Sequence, residues 1–174
     1  MKIAVIGDKD GNDGAVLKKA HLIGKAIAAT DSVLMSGGCE GYPYEATVGA
    51  FKNNGKTLAI SPGKNEQEHV ERYGFPLEGF TEIRFTGLGI PRRNYPLIDE
   101  ADAVIMIGGK TGTLNEFTLA FHAYKVVGIL EGSGGIATFI DRIAEICDRQ
   151  ERKEKLVYDS DPERLVKKVL EKLK

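Results

Sequence analysis

The sequence predicts an α/β fold, with three layers (α/β/α) built around a mostly parallel sheet of roughly seven strands. Three observations carry this. The strand candidates are short, solid apolar runs rather than alternating ones, as in sheets covered on both faces. They alternate along the chain with segments whose apolar residues recur at helical spacing. Glycine-rich turns follow the first, second, fourth, fifth and sixth strands, all at the carboxyl edge, where open parallel sheets bind ligands.

Taken in order, Lys2 to Ile6 is a buried-strand run ending at Gly7, and the turn GDKDGNDG follows it. A helix is expected from about Ala15 to Ala29, with Val16, Ala20, Ile23 and Ile27 on one face. Ser32 to Met35 is the second strand, closed by Ser36-Gly37-Gly38, and a helix from about Tyr44 to Lys52 stops at Asn54-Gly55. Lys56 to Ile60 is the third strand. The stretch Lys64 to Thr81 has no clear period, and a connection this long in a small domain is usually functional or mobile. Glu82 to Phe85 is the fourth strand; a helix from Pro91 to about Glu100 contains Pro96 as a potential kink. Ala103 to Ile107, a helix from Thr113 to Tyr124, and Val126 to Leu130 come next, followed by GSGG and a helix from Ile136 to Arg149. Lys155 to Tyr158 is the last strand, and Asp161 caps a final amphipathic helix. One Rossmann-like domain spanning residues 1–174 is expected, without repeats or linkers.

A chain of 174 residues suffices for one core. Its formal net charge of −1 lacks a basic footprint, so no nucleic-acid partner is expected. No apolar run approaches the ~20 residues that span a bilayer, so no membrane partner is expected. Cys39 and Cys147 stand far apart and in no metal spacing, which suggests reduced thiols in a cytoplasmic protein. The three histidines show no ligand spacing either, and no metal site is expected.

The most informative stretch is Asp102 to Glu116. It reads as a strand, the turn Gly108-Gly109, and the first turn of a helix opening at Thr111 to Thr113. Unpaired amides and the helix dipole make such a terminus attractive to anions. Glycines allow close approach, Thr111 and Thr113 offer hydroxyls, and Lys110 offers a charge. Three motif matches fail on context. Val104 stands where a P-loop ending at Gly109-Lys110-Thr111 requires glycine. The DEAD at Asp99 to Asp102 precedes its strand, and Gly7, Gly11 and Gly14 do not make GxGxxG.

Ser36-Gly37-Gly38, Arg92-Arg93-Asn94 and GGKTGTLNE could converge on one pocket. Each has a plainer role. Thr113 and Glu116 have the spacing of a capping box. Adjacent arginines on a helix point about 100° apart, so at most one faces a pocket. Gly37 and Gly38 could merely end a strand, and Lys110 could be a solvated loop lysine. Tyr42 and Tyr44 could stack on a base or pack on the sheet; Asp8 could contact a ribose or cap the next helix. Cys39 could line the pocket, but no histidine is placed to activate it as a nucleophile.

These motifs resemble the LOG ("lonely guy") family, whose relatives have long been labelled possible lysine decarboxylases. That family carries an arginine one helix before a strand and then PGGxGTxxE. Aligned without gaps, the arginine falls on Arg93, the proline on Gly108, the two glycines on Gly109 and Lys110, the GT on Gly112-Thr113, and the glutamate on Glu116. GGK replaces PGG, and Asn94 replaces a lysine, which is similar to a GGxxGT branch of the superfamily. The resemblance implies a nucleoside 5′-monophosphate phosphoribohydrolase, in which water cleaves the N-glycosidic bond to release base and ribose 5-phosphate without any cofactor. Gly108, Gly109, Lys110, Thr111, Gly112 and Thr113, with Ser36, Gly37 and Gly38, would then bind the phosphorylated ligand. Arg93 and Glu116 would be the catalytic pair, the arginine orienting the ribose or phosphate and the glutamate supporting the oxocarbenium charge or activating water. The alternative is a non-catalytic carrier of a nucleotide or the molybdenum cofactor, since a carrier protein resembles the same family. A pyridoxal-phosphate decarboxylase is disfavoured because no lysine is marked out for a Schiff base. The resemblance also implies a homodimer or higher homo-oligomer, for which Phe117, Phe121 and Tyr124 offer aromatic surface.

Overall fold

The computed structural model describes residues 1–147 and 150–174. In chain order it contains β1 (Lys2–Gly7), α1 (Gly14–Ala28), β2 (Val33–Ser36), α2 (Gly41–Lys52) and β3 (Lys56–Ser61). A π-helical turn (Glu68–Arg72), β4 (Glu82–Phe85), α3 (Gly89–Asp99), β5 (Ala103–Ile107), α4 (Thr111–His122) and β6 (Val126–Leu130) follow. The C-terminal part holds a 3-10 turn (Gly135–Phe139), α5 (Ile140–Ile146), α6 (Gln150–Lys153), β7 (Leu156–Asp159) and α7 (Pro162–Lys172).

The strands form a seven-stranded sheet in the order β4-β3-β2-β1-β5-β6-β7, and every pairing is parallel. Because side chains alternate along a strand, the solid apolar runs supply both faces at once. Ile3 and Val5 pack with α1, α2 and α7 on one side. Ala4 and Ile6 pack with Leu97 of α3, Phe117 of α4 and Ile140 of α5 on the other. The chain winds outward from β1 to β4, then crosses to β5 on the opposite side of β1. That reversal opens a crevice beyond the carboxyl ends of β1 and β5. In register Gly7 pairs with Ile107, so the turns after both strands emerge side by side.

The predicted strands are all present, with ends shifted by a residue. Helix starts differ more: α2 begins at Gly41 and α3 at Gly89, two or three residues before the expected positions. Both first residues have positive φ, 74° and 73°, where glycine carries no Cβ penalty. The predicted helix Ile136 to Arg149 is a 3-10 turn followed by the shorter α5, and the Ile136 amide donates to the Gly109 carbonyl at 2.8 Å. Asp148 and Arg149 of that predicted helix lie outside the described residues. The irregular Lys64 to Thr81 stretch is organised by buried His69. Its ring nitrogens lie 2.8 Å from the Ser61 hydroxyl and 2.9 Å from the Pro76 carbonyl, and its ring meets Phe75 and Phe85 edge-on. Asp161 caps α7 as expected, accepting from Arg164 N at 2.8 Å.

Candidate functional site

The crevice at the switch point holds a hollow of about 240 Å³. Its floor comes from two helices. Arg93 projects from α3 and Glu116 from α4; the guanidinium Nη1 lies 3.6 Å from Glu116 Oε1, with the two side chains only 4% and 11% exposed. Of the adjacent arginines, Arg92 is exposed and Arg93 buried, as their angular separation on a helix requires. Arg93 backs against Gly37, where any added methyl would overlap the guanidinium. Its Nε and Nη1 are buried and have no hydrogen-bond partner among the described residues. Nη1 is enclosed between Gly37 and the Glu116 carboxyl, so Arg93 is held as a fixed charge at the back of the hollow. Asn94 sits beside the pair. In the amide orientation that satisfies both acceptors, its nitrogen lies 3.2 Å from Glu116 Oε1 and 3.2 Å from the Ile90 carbonyl.

Helix α4 opens onto the same hollow through Gly112 and Thr113. Its N-cap is Lys110, whose side chain makes no cap. Helix geometry leaves the first amides without intrahelical partners, and the dipole adds positive character there. Thr113 and Glu116 are not a capping box. Thr113 is the third helical residue and its hydroxyl donates to the Gly7 carbonyl at 3.0 Å, pinning α4 to the end of β1. Glu116 lies one turn further on and meets Arg93 instead.

Electrostatics separates the ionisable groups. Burial pushes the Glu116 carboxyl up to about 7, with the Arg93 charge opposing the rise. Burial likewise raises the Cys39 thiol to about 11; Arg93 lowers it and Glu116 raises it further. Cys39 therefore lines the hollow as an uncharged thiol. At the rim, Lys110 Nζ bridges Asp8 Oδ1 at 3.2 Å and Asp10 Oδ2 at 3.0 Å, while Lys9 pairs with Asp10 at 2.7 Å. These partners raise the Lys110 ammonium and lower the Asp10 carboxyl.

Several residues expected to touch a ligand make contacts within the protein. Gly108 and Gly109 have the positive φ of a tight turn, 61° and 104°, but both are buried. The Gly108 amide donates to Ser133 Oγ at 2.8 Å, and the Gly109 carbonyl accepts from Ile136. The glycine-rich loop after β6 thus covers that turn. Ser36 Oγ accepts from Gly38 N at 3.4 Å, and Gly38 lies against His69, so this turn supports Arg93 from behind. Thr111 is exposed on the outer side of the first turn. Among the described residues lining the hollow, those singled out in the sequence are Asp8, Cys39, Arg93, Asn94, Lys110, Gly112, Thr113 and Glu116. Tyr42 packs its ring over Gly11 and Gly108, and Tyr44 lies by Phe80, donating to the Glu78 carbonyl. Asp8 neither caps α1 nor stays free, since Asp13 is the cap.

Sequence reasoning missed Lys9, Asp10, Phe75 and Ile90, which also line the hollow. Phe75 arrives from the aperiodic Lys64 to Thr81 stretch, where no spacing signals a direction. A larger hollow of about 540 Å³ lies beyond β6, where Glu131 and Asp141 line it and, among the described residues, no cationic side chain does, which does not favour an anion. Among the described residues, no group of three His, Cys, Asp or Glu is arranged to hold a metal, and no helix is long and apolar enough to cross a membrane.

Residues 1–166 match the SLOG cluster4 family. The chain belongs to that family. It is 31% identical over 132 residues to an uncharacterized protein of Archaeoglobus fulgidus, covering 75% of this chain and 80% of that one. Among solved structures, the molybdenum cofactor binding protein of Rippkaea orientalis is 27% identical with a TM-score of 0.81, over 99% of this chain and 97% of that one. The molybdenum cofactor carrier protein of Chlamydomonas reinhardtii shares the fold at 24% identity and a TM-score of 0.80, over 99% and 98% of the two chains. In this SLOG cluster4 protein Arg93, Lys110, Gly112, Thr113 and Glu116 line the switch-point crevice.

Proposed function

We propose that this SLOG cluster4 protein binds a small phosphorylated ligand in the Arg93–Glu116 hollow and serves as a binding or carrier protein. The observation that carries the reading is Arg93, a buried guanidinium that lines the hollow together with the start of α4 and is paired there with Glu116. A phosphate seated in the hollow meets a fixed positive charge and the first amides of α4, two features that each favour an anion. A hollow of about 240 Å³ admits a phosphate with a sugar-sized group attached; whole drug-sized ligands fill roughly 300–1,000 Å³. The rest of a nucleotide or phosphorylated pterin would extend past Phe75 and Ile90 toward the mouth. The Rippkaea protein, a molybdenum cofactor binder, supports a carrier role, and the phosphate of such a cargo suits the same donors.

A second reading, phosphoribohydrolase activity, is favoured by one observation. Glu116 faces Arg93 and carries a carboxyl raised to about 7, poised for proton transfer near neutrality. Incubation of the pure protein with AMP and other nucleoside monophosphates separates the two. A carrier retains the nucleotide, measurable by equilibrium dialysis, and releases no base. Free base that disappears in Glu116→Ala while AMP binding persists would establish the enzyme instead.

A further inference from the structure

We propose that the site takes up its phosphorylated ligand together with one proton, carried on Glu116, so that affinity falls as the solution becomes alkaline. This rests on the binding reading above and specifies its chemistry. The geometry imposes it. Arg93 Nη1 is 3.6 Å from Glu116 Oε1, and both groups lie in a hollow too small to keep two anions apart. Without ligand, an ionised Glu116 and Arg93 neutralise each other. A phosphate dianion drawn to the part of Arg93 that lines the hollow would share that guanidinium with the carboxylate.

The surrounding groups add no free positive charge. On α3, Asn94 donates to Glu116 Oε1 at 3.2 Å but is neutral, so it steadies the carboxylate without balancing a second anion. On the β1–α1 loop, Asp8, Lys9 and Asp10 are already paired among themselves and with Lys110, which guards the start of α4. After β2, Cys39 is an uncharged thiol. From the Lys64 to Thr81 stretch the wall is Phe75; His69 behind it is engaged with Ser61 and Pro76. The remaining way to restore charge balance is to protonate Glu116 from solvent. The neutral carboxyl then changes from acceptor to donor and can hydrogen-bond a phosphate oxygen. Burial already biases Glu116 toward that form near neutrality. Release of the ligand returns the proton to water.

Titration calorimetry with AMP tests this. A phosphate monoester has its second pKa near 6, so AMP is a dianion from about pH 7 upward and contributes little titration of its own there. At pH 8, heats measured in buffers of different ionisation enthalpy should report close to one proton taken up per AMP bound. Between pH 7 and 8.5, Kd should weaken by roughly fifteenfold in all, the slope steepening toward tenfold per pH unit at the upper end. In Glu116→Gln, whose fold is checked by circular dichroism, proton uptake should vanish and Kd should become flat over the same range. Binding of AMP by the unaltered protein with no proton uptake and a flat Kd would overturn the inference while leaving the binding reading intact. Uptake that survives in Glu116→Gln would place the proton elsewhere and overturn the assignment. No binding of AMP or inorganic phosphate at any pH would overturn the site itself, and the inference with it.

Discussion

At the scale of the residue, the site depends on how closely Arg93 is backed by Gly37. Gly37→Ala should push the guanidinium out of place, because the new methyl has no room and the strand end behind it cannot yield. A loss of one good charge-assisted contact, roughly 1.5–3 kcal/mol, corresponds to at least tenfold weaker AMP binding. Equilibrium dialysis checks this, and unchanged affinity would show that Arg93 is not an anchor. Glu116 governs a second outcome. Its folded value near 7 lies above the ordinary 4.5, so between those limits the folded chain holds a proton that the unfolded chain has lost. The free protein should therefore lose stability as pH rises from about 4.5 through 7, by roughly 3 kcal/mol in the limit. Urea unfolding at pH 5 and pH 8 measures the difference, and Glu116→Gln should erase most of it. Of this residue pair, the identities were legible in the sequence through the LOG-like spacing. Their mutual contact was not, because α3 and α4 are brought together by packing on one sheet face.

At the scale of the element, the crossing of α1 and α2 shows what a hydrophobic pattern omits. Val16, Ala20, Ile23 and Ile27 face the core as their spacing predicts, but Gly24 also lies in that buried face. A methyl at Gly24 would run into the Ala46 carbonyl, and one at Gly49 into the His21 carbonyl, so the backbones touch. In an exposed helix, glycine to alanine gains up to about 1 kcal/mol. Here Gly24→Ala should instead destabilise by about 1–3 kcal/mol, since the helices must separate. A lower urea midpoint at unchanged m is the expected result. The loops teach the same lesson. The start of α4 reads correctly from Gly109 to Thr113, yet the neighbouring loop after β6 takes up the Gly108 amide and the Gly109 carbonyl. That loop is remote in sequence, and local spacing carries no trace of it.

At the scale of the whole molecule, the sheet order places the turns after β1 and β5 together, and the site follows from that reversal. The aromatic surface expected at Phe117, Phe121 and Tyr124 is largely used internally. Phe117 and Phe121 are buried and stacked at 5.4 Å, while Tyr124 is covered on one face by Arg152 at 4.5 Å. We propose a homodimer all the same, and light scattering should then give twice the mass of one chain.

The linear order of amino acids determined the strands, most helices, the parallel architecture and the anion-attracting start of α4. All of these follow from local periodicity and from glycine and cap chemistry, which act over a few residues. Tertiary structure alone decided which candidates share a hollow. It buried Arg93 against Gly37 and Glu116, brought Phe75 in from an aperiodic stretch, and sealed Gly108 and Gly109 under a distant loop. Those outcomes depend on contacts between segments far apart in the chain, and such contacts exist only once the sheet has ordered its strands.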